Sequence, residues 1–160
     1  MNTPNSGIPV RLLILGSTGS IGKQALQVVD NLPGAVTVVG LSAHSNWELL
    51  VQQAHQYSVS EVVLVDSSVS GVVGSPGDRI TVSFGAEAVV ELIERTQPDV
   101  VLNALVGAAG LRASIATVAS GRRLALANKE SLVVGGELIM PMVSPGQMLP
   151  VDSEHSAIFQ

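Results

Sequence analysis

The sequence predicts an α/β domain with a doubly wound, mostly parallel sheet and helices on both faces. Apolar runs of strand length alternate with segments of helical period, and the connections between them are short. The chain is 46% hydrophobic but only 2% aromatic. This aliphatic composition suits buried parallel strands that are covered by helices. At 160 residues the chain has the size of one domain with one substantial core.

Seven strands and five helices are predicted in alternation, with one interruption. The predicted strands are Val10–Leu15, Val36–Ser42, Val62–Val65, Ile80–Phe84, Val100–Asn103, Leu124–Ala127 and Met148–Val151. The predicted helices are Ile21–Asn31, Asn46–Tyr57, Ala86–Thr96, Leu111–Ser120 and Ser131–Met142. The interruption is Ser67–Asp78, which is rich in Ser and Gly and is predicted to be a loop. Residues 1–9 are predicted to form a flexible tail, and residues 10–160 a single domain.

Composition argues against several classes of function. The net charge of −5 and the scarcity of aromatic side chains argue against a nucleic-acid partner. The chain contains no cysteine, which excludes disulfides, thiolate nucleophiles and cysteine-based metal sites. No apolar run approaches the roughly 18 residues of a membrane span, and the polar N-terminus lacks the cationic start of a secretory signal. We therefore expect a cytoplasmic protein without a membrane partner.

A glycine-rich loop joins the first predicted strand to the first helix. Gly16, Gly19 and Gly22 are spaced so that the first can turn sharply, the second can approach a diphosphate and the third can allow close packing. Amide groups at the helix N-terminus would then bind the phosphates. This context favours a Rossmann-like dinucleotide site, and the alternative is a turn that serves packing alone.

The end of the second predicted strand bears on the choice of coenzyme. NAD enzymes commonly place a carboxylate there to bind the ribose hydroxyls. The segment here is Ser42-Ala43-His44-Ser45-Asn46 and contains no acid, which favours NADP(H). Asn46 could equally serve only as a helix cap. His44 is expected in a solvated loop, where its charge would help a phosphate only when protonated.

Two further strand ends carry candidate site residues. The run from Asn103 to Gly110 is expected to leave its strand as a loop of very small residues, which would serve either a ligand or tight packing. Asn128 could cap the following helix, and Glu130 could complement its dipole. Lys129 is one of only two lysines and lies at the edge where ligands bind.

Asp152 and Glu154 are two residues apart at the end of the last predicted strand. Alternating side chains would direct both carboxylates to one side, where they could hold a divalent cation. The alternative is a solvated acidic pair. His155 adds no good tetrahedral zinc spacing.

Four ordered motifs together resemble the 1-deoxy-D-xylulose 5-phosphate reductoisomerase family. They are GSTGSIG at 16–22, NALVGAAGL at 103–111, LANKESLV at 126–133 and PVDSEHSAIFQ at 150–160. The resemblance covers Val10 to Gln160 and corresponds to the family's N-terminal NADPH-binding domain. It implies an enzyme of non-mevalonate isoprenoid synthesis, which rearranges 1-deoxy-D-xylulose 5-phosphate and reduces the product with NADPH to 2-C-methyl-D-erythritol 4-phosphate.

The resemblance also implies roles for individual residues. The coenzyme would be bound by Thr18, Gly19, Ser20, Ile21, Asn46, Asn128 and Glu130. Lys129 and Ser153 would reach the sugar phosphate, and Asp152 and Glu154 would bind Mg²⁺ or Mn²⁺. These last four form the expected catalytic group.

Two departures from the family's pattern matter. The family often has glycine and a basic residue where this chain has His44-Ser45. The family's third metal carboxylate and its substrate-phosphate site belong to a C-terminal catalytic domain, which this chain lacks. We therefore expect no meaningful turnover from the 160 residues alone, and the resemblance implies a homodimer for the full-length enzyme.

Other classes fit the sequence less well. A short-chain dehydrogenase would need a Tyr-x-x-x-Lys pair, but Glu61 stands four residues after the only tyrosine, Tyr57. A semialdehyde dehydrogenase would need a cysteine. The alternative from a different class is a non-catalytic NADP(H)-binding or dimerisation module, in which the acidic pair is incidental.

Overall fold

The computed structural model describes residues 7–151, apart from the side chains of Lys129 and Ser131. Its strands are β1 (Val10–Leu15), β2 (Val36–Ala43), β3 (Glu61–Leu64), β4 (Thr81–Phe84), β5 (Val100–Asn103), β6 (Arg123–Leu126) and β7 (Met148–Pro150). Its helices are α1 (Ser20–Asp30), α2 (Trp47–Gln56), α3 (Ala86–Thr96), α4 (Gly107–Ala119) and α5 (Lys129–Ile139). Two short 3₁₀ helices are Ser67–Gly71 and Met140–Met142.

The seven strands form one sheet in the order β4-β3-β2-β1-β5-β6-β7, and every neighbouring pair is parallel. β1 is central, with β2 on one side and β5 on the other. The chain builds outward from β1 in both directions, so the strand order reverses between β1 and β5. In sheets of this type, ligands bind at the carboxyl ends of the strands beside such a reversal.

Alternating side chains of β1 divide the core into two layers. Leu12 and Ile14 belong to the layer that also contains apolar residues of α1 and α2. Leu13 and Leu15 belong to the layer that contains residues of α3 and α4. A third cluster joins α4 and α5 to β6. Burial on both faces explains why the strands are almost wholly aliphatic, and the predicted doubly wound fold is confirmed.

All seven predicted strands are confirmed with bounds that differ by at most one residue. The largest error concerns α4, because the predicted loop of small residues at 107–110 is the first turn of this helix. Gly110 is buried there, where an added Cβ would lie 2.5 Å from the Leu105 carbonyl oxygen. Close packing thus requires glycine at position 110, one of the very small residues that suggested a loop. The predicted loop Ser67–Asp78 begins with a 3₁₀ turn.

The sequence also predicts too late a start for α5. This helix begins at Lys129 and not at Ser131, because Asn128 accepts a hydrogen bond from the Glu130 amide and caps it. Of the predicted tail, residues 1–9, the first six residues lie outside the described part of the chain.

Candidate functional site

A cavity of about 370 Å³ lies at the carboxyl edge of the sheet, where the strand order reverses. It is bounded by the segments that follow β1, β5 and β6. Its wall consists of Gly16, Gly19, Ser20, Ile21, Ala104, Val106, Ala127, Asn128 and Glu130. Glu130 is the only charged side chain among these described lining residues. The cavity therefore joins the glycine-rich loop to the two strand ends that the sequence singled out.

Close contacts determine the shape of the glycine-rich loop. Gly16 has a φ of +85°, and a Cβ there would lie 3.0 Å from the carbonyl oxygen of Ala104. A Cβ on Gly22 would collide with the backbone of Gly16 and Ser17. Gly22 therefore packs against the loop itself, whereas the sequence suggested packing against the sheet. A Cβ on Gly19 would meet only the Gly16 oxygen at 3.5 Å, so Gly19 is the glycine that the loop does not itself require.

A buried polar cluster holds the loop from below. The amides of Gly16 and Ser17 donate to the carbonyl oxygen of Ser42 at 3.0 and 2.8 Å. The Ser17 hydroxyl donates to Gln53 Oε1 at 2.7 Å, and Gln53 Nε2 donates to the Ser17 carbonyl at 3.0 Å. Ser17, Ser42 and Gln53 are all buried. Sequence reasoning missed Gln53, and the only available signal was a polar residue on the apolar side of α2.

The N-terminus of α1, like that of α4, has neither a side-chain cap nor an acid in its first turn, and so it differs from those of α2 and α5. Gly19 is its N-cap, no side chain caps it, and its first turn contains no acid. In contrast, Asn46 caps α2 and Asn128 caps α5, and both helices have a glutamate in the first turn. The first amides of a helix have no partner within the helix, and its dipole favours an anion. The end of α1 that faces the cavity is therefore suited to bind phosphate.

Two asparagines brace the opposite wall. Asn103 is fully buried; its Nδ2 donates to the Gly110 carbonyl at 2.7 Å, and its Oδ1 accepts from the Leu105 amide at 3.1 Å. Asn128 Nδ2 donates to the Leu105 carbonyl at 2.8 Å, while its Oδ1 accepts from the Glu130 amide at 2.9 Å. Asn128 thus caps α5 and also links the end of β6 to the end of β5.

A second cavity of about 250 Å³ adjoins the first through Glu130. Gly107, Ala108, Leu111 and Val134 complete its wall. Its lining is therefore mainly aliphatic, and the small residues at the start of α4 create it. It extends the site away from the glycine-rich loop toward the outer side of α5.

The segment after β2 lies at the same carboxyl edge of the sheet, outside the wall of the first cavity. Asn46 accepts a hydrogen bond from the Leu49 amide at 3.2 Å and so caps α2. His44 is exposed, as expected, and its carbonyl accepts from the Asp66 amide at 2.9 Å. Asp66 follows β3, so a residue with a carboxylate lies beside this segment at the end of a neighbouring strand. Hydrogen bonds from the side chain and amide of Ser68 lower the pKa of Asp66, and the charge of His44 lowers it further, although partial burial opposes them.

Tyr57 has a structural role. Its hydroxyl donates to Asp30 Oδ2 at 3.0 Å, beside the C-terminal end of α2. Burial raises the pKa of Tyr57, and the hydrogen bond to Asp30 and the charge of Asp30 raise it further. Such a tyrosine is a poor general acid, which agrees with the missing lysine of the dehydrogenase pair.

The predicted site residues are distributed unequally. Gly19, Ser20, Ile21, Asn128 and Glu130 line one cavity, whereas Thr18 and Asn46 lie outside its wall. Lys129 begins α5 at the same edge. Asp152, Ser153 and Glu154 lie outside the described residues.

Two absences hold for the described residues, 7–151. Within that range, no group of three or more His, Asp or Glu side chains could hold a metal ion. No helix in the described part is long and apolar enough to cross a membrane.

Comparison with known proteins gives one consistent result. The model of the 1-deoxy-D-xylulose 5-phosphate reductoisomerase family matches residues 12–136. A reductoisomerase of this name from Rhodococcus jostii is 54% identical over 153 residues, which are 95% of this chain and 37% of that protein. The chain therefore spans little more than a third of the length of that relative.

Solved structures agree. The 1-deoxy-D-xylulose 5-phosphate reductoisomerase from Zymomonas mobilis in complex with NADPH is 36% identical and superimposes with a TM-score of 0.86, covering 95% of this chain and 41% of that one. A DOX-P reductoisomerase in complex with NADPH, fosmidomycin and magnesium is 33% identical with a TM-score of 0.83, covering 94% of this chain and 38% of that one.

Proposed function

Since this chain belongs to the 1-deoxy-D-xylulose 5-phosphate reductoisomerase family, we propose that it forms the NADPH-binding domain of such an enzyme. The complete enzyme would rearrange 1-deoxy-D-xylulose 5-phosphate and reduce the resulting branched aldehyde to 2-C-methyl-D-erythritol 4-phosphate. This would be a step of non-mevalonate isoprenoid biosynthesis. NADPH would supply the hydride, and this chain would hold the coenzyme.

The uncapped N-terminus of α1 carries the proposal. It opens onto the cavity at Gly19, Ser20 and Ile21, where the backbone is accessible and no acidic side chain of the first turn repels an anion. Backbone amides at such a position bind diphosphates. Thr18, in the same loop, completes the proposed phosphate contacts.

The remaining coenzyme contacts are proposed on both sides of this point. Asn46 would lie near the adenosine ribose; its Oδ1 caps α2, which leaves its amide nitrogen as the donor for the coenzyme. Asn128 and Glu130 line the far wall and would lie near the nicotinamide half. The strand order reverses once, between β1 and β5, which supports one extended ligand that reaches from Asn46 to Asn128 and Glu130.

The proposed substrate and metal residues follow directly along the chain. Lys129 and Ser153 would bind the sugar phosphate, with Lys129 as a point charge that offsets negative charge on substrate oxygens. Asp152 and Glu154 would bind Mg²⁺ or Mn²⁺, because hard cations prefer carboxylate oxygens. Such a cation polarises a substrate carbonyl when it is bound.

We further propose that residues 10–160 are only the coenzyme domain and that turnover needs a C-terminal catalytic domain. The coverage of 37% of the Rhodococcus relative supports this division. The 160 residues are therefore expected to bind NADPH without forming product. A homodimeric full-length enzyme and a cytoplasmic location are further parts of this proposal.

A titration of NADPH, followed by its fluorescence, tests the coenzyme site. Gly19→Ala is the informative variant, because its added Cβ meets only the Gly16 oxygen at an ordinary 3.5 Å and should not disturb folding. We expect it to weaken NADPH binding about tenfold, a loss of about 1.4 kcal/mol, by obstructing the approach of the diphosphate. Gly74→Ala is the matched control, since nothing lies within 4 Å of its added Cβ. Equal NADPH affinity in both variants would contradict the proposed site.

The double substitution Asp152→Ala/Glu154→Ala tests the metal proposal separately. Mn²⁺ affinity, measured by calorimetry, should fall, while NADPH affinity should stay unchanged. If Mn²⁺ binds the double variant as well as it binds the parent chain, the acidic pair is incidental. Product formed from 1-deoxy-D-xylulose 5-phosphate by the purified 160 residues would refute the proposed division of labour.

A further inference from the structure

We propose that His44 selects NADPH over NADH by binding the 2′-phosphate in its protonated form, so that coenzyme preference depends on pH. The inference rests on the proposed function, because it requires the coenzyme to lie along the carboxyl edge of the sheet. It goes further by assigning the discrimination to one titratable side chain of this chain.

The position of His44 follows from the register of the sheet. Ser42 pairs with Leu15, and its carbonyl accepts the amides of Gly16 and Ser17 in the glycine-rich loop. β2, whose Ser42 holds this loop, ends at Ala43, so His44 is the first residue beyond the strand. Folds of this kind place the adenosine ribose just beyond the end of that strand. His44 is exposed there and can contact a bound ligand.

The charged groups around His44 make it the best candidate. No lysine or arginine stands between Ser42 and Leu49. The neighbouring elements contribute Glu48 from the first turn of α2, Asp66 from the segment after β3 and Lys23 from the exposed side of α1. Glu48 and Asp66 are both acidic, so protonated His44 is the group within the segment from Ser42 to Leu49 that can attract a 2′-phosphate.

Asp66 increases the importance of the charge on His44. Its amide donates to the His44 carbonyl, which fixes it next to this segment. Its Oδ1 accepts from the Ser68 amide at 2.9 Å, which holds the carboxylate in its own turn. Its negative charge would oppose a 2′-phosphate beside neutral His44 and would be offset by protonated His44.

The ionisation of histidine and of the 2′-phosphate places the change in NADPH affinity near neutral pH. Histidine is the side chain that ordinarily changes charge between about pH 5 and 8. A phosphate monoester loses its second proton near about pH 6. Above that pH the phosphate stays doubly charged while histidine loses its charge, so the attraction weakens as the pH rises. NADH lacks the phosphate and should not respond.

The test measures the ratio of NADPH to NADH affinity by fluorescence titration of the 160-residue chain. Between about pH 6.5 and about pH 8.5, the ratio should fall about tenfold in the parent chain. His44→Gln should give a low ratio at both pH values, and His44→Arg a high ratio at both. Any remaining slope in His44→Arg reports the phosphate's own ionisation. Asp66→Asn keeps the capping oxygen and should strengthen NADPH binding at the higher pH.

The outcomes separate the two proposals. If NADPH binds but the ratio is independent of pH, or is the same in His44→Gln as in the parent chain, the role of His44 is overturned and the coenzyme site stands. If neither coenzyme binds to the folded chain at either pH, both proposals fail.

Discussion

Replacing Gln53 with methionine is expected to lower the free energy of unfolding by about 3 kcal/mol. The change removes both hydrogen bonds between Gln53 and Ser17, at 2.7 and 3.0 Å, and leaves the Ser17 hydroxyl and carbonyl without these buried partners. Each buried polar group left unpaired costs about 1–3 kcal/mol. The methionine fills a similar volume and regains about 1 kcal/mol through its apolar surface.

Urea denaturation followed by circular dichroism measures this loss, and an unchanged m-value shows that only stability has changed. Gln52→Met is the matched control, because Gln52 is the exposed neighbour on the same helix and should change stability by less than about 0.5 kcal/mol. NADPH affinity should also fall in Gln53→Met, since Ser17 is part of the glycine-rich loop. A destabilisation below about 1 kcal/mol would refute the view that this pair holds the loop in place.

Three further predictions concern other parts of the molecule. Gly135→Ala should lower the free energy of unfolding, measured by urea denaturation, by about 1–3 kcal/mol, because its Cβ would collide with Leu111 Cδ1. Gly136→Ala should raise it by about 0.5–1 kcal/mol, since nothing lies within 4 Å of its added Cβ. Similar effects of the two substitutions would contradict the α4–α5 packing. Asn128→Ala should cost about 1–2 kcal/mol in the same assay, and Asn128→Asp, which keeps the capping oxygen but loses the donor to Leu105, should cost less. Because the pKa of Asp66 is lowered by folding, its contribution to stability is present above the ordinary aspartate pKa and lost as the pH falls through the lower value. The melting temperatures of the parent chain and of Asp66→Asn should therefore converge below about pH 4. A difference in melting temperature that stays constant down to about pH 2.5 would contradict this prediction.

The sheet could be predicted because its signals are local. Strands such as β1 and β5 are short aliphatic runs bounded by glycine, proline or a helical pattern, and both were placed with correct bounds. The glycine-rich loop was also predictable, because its meaning depends on the strand before it and the helix after it. Helix starts were less predictable, since Gly107 begins α4 despite a residue type that disfavours helix.

What could not be predicted depends on contacts between distant segments. The Ser17–Gln53 pair joins residues 36 positions apart, and no local pattern indicates it. The lack of an acid in Ser42-Ala43-His44-Ser45-Asn46 favoured NADP(H), because only the end of β2 was considered at this edge of the sheet. Asp66 reaches that edge from the segment after β3, and only the pairing of the two strands reveals it.

The central place of β1 has a consequence for the order of assembly. Residues as far as the end of β4 complete one side of the sheet, and residues from β5 onward complete the other. Gly16 belongs to the first part, but Ala104 and Asn128, which line the same cavity, emerge later from the ribosome. A nucleotide bound between them would touch both halves and resist their separation. Protection of the β5–β6 amides from hydrogen exchange should therefore increase when the ligand is added, although β1 carries the glycine-rich loop.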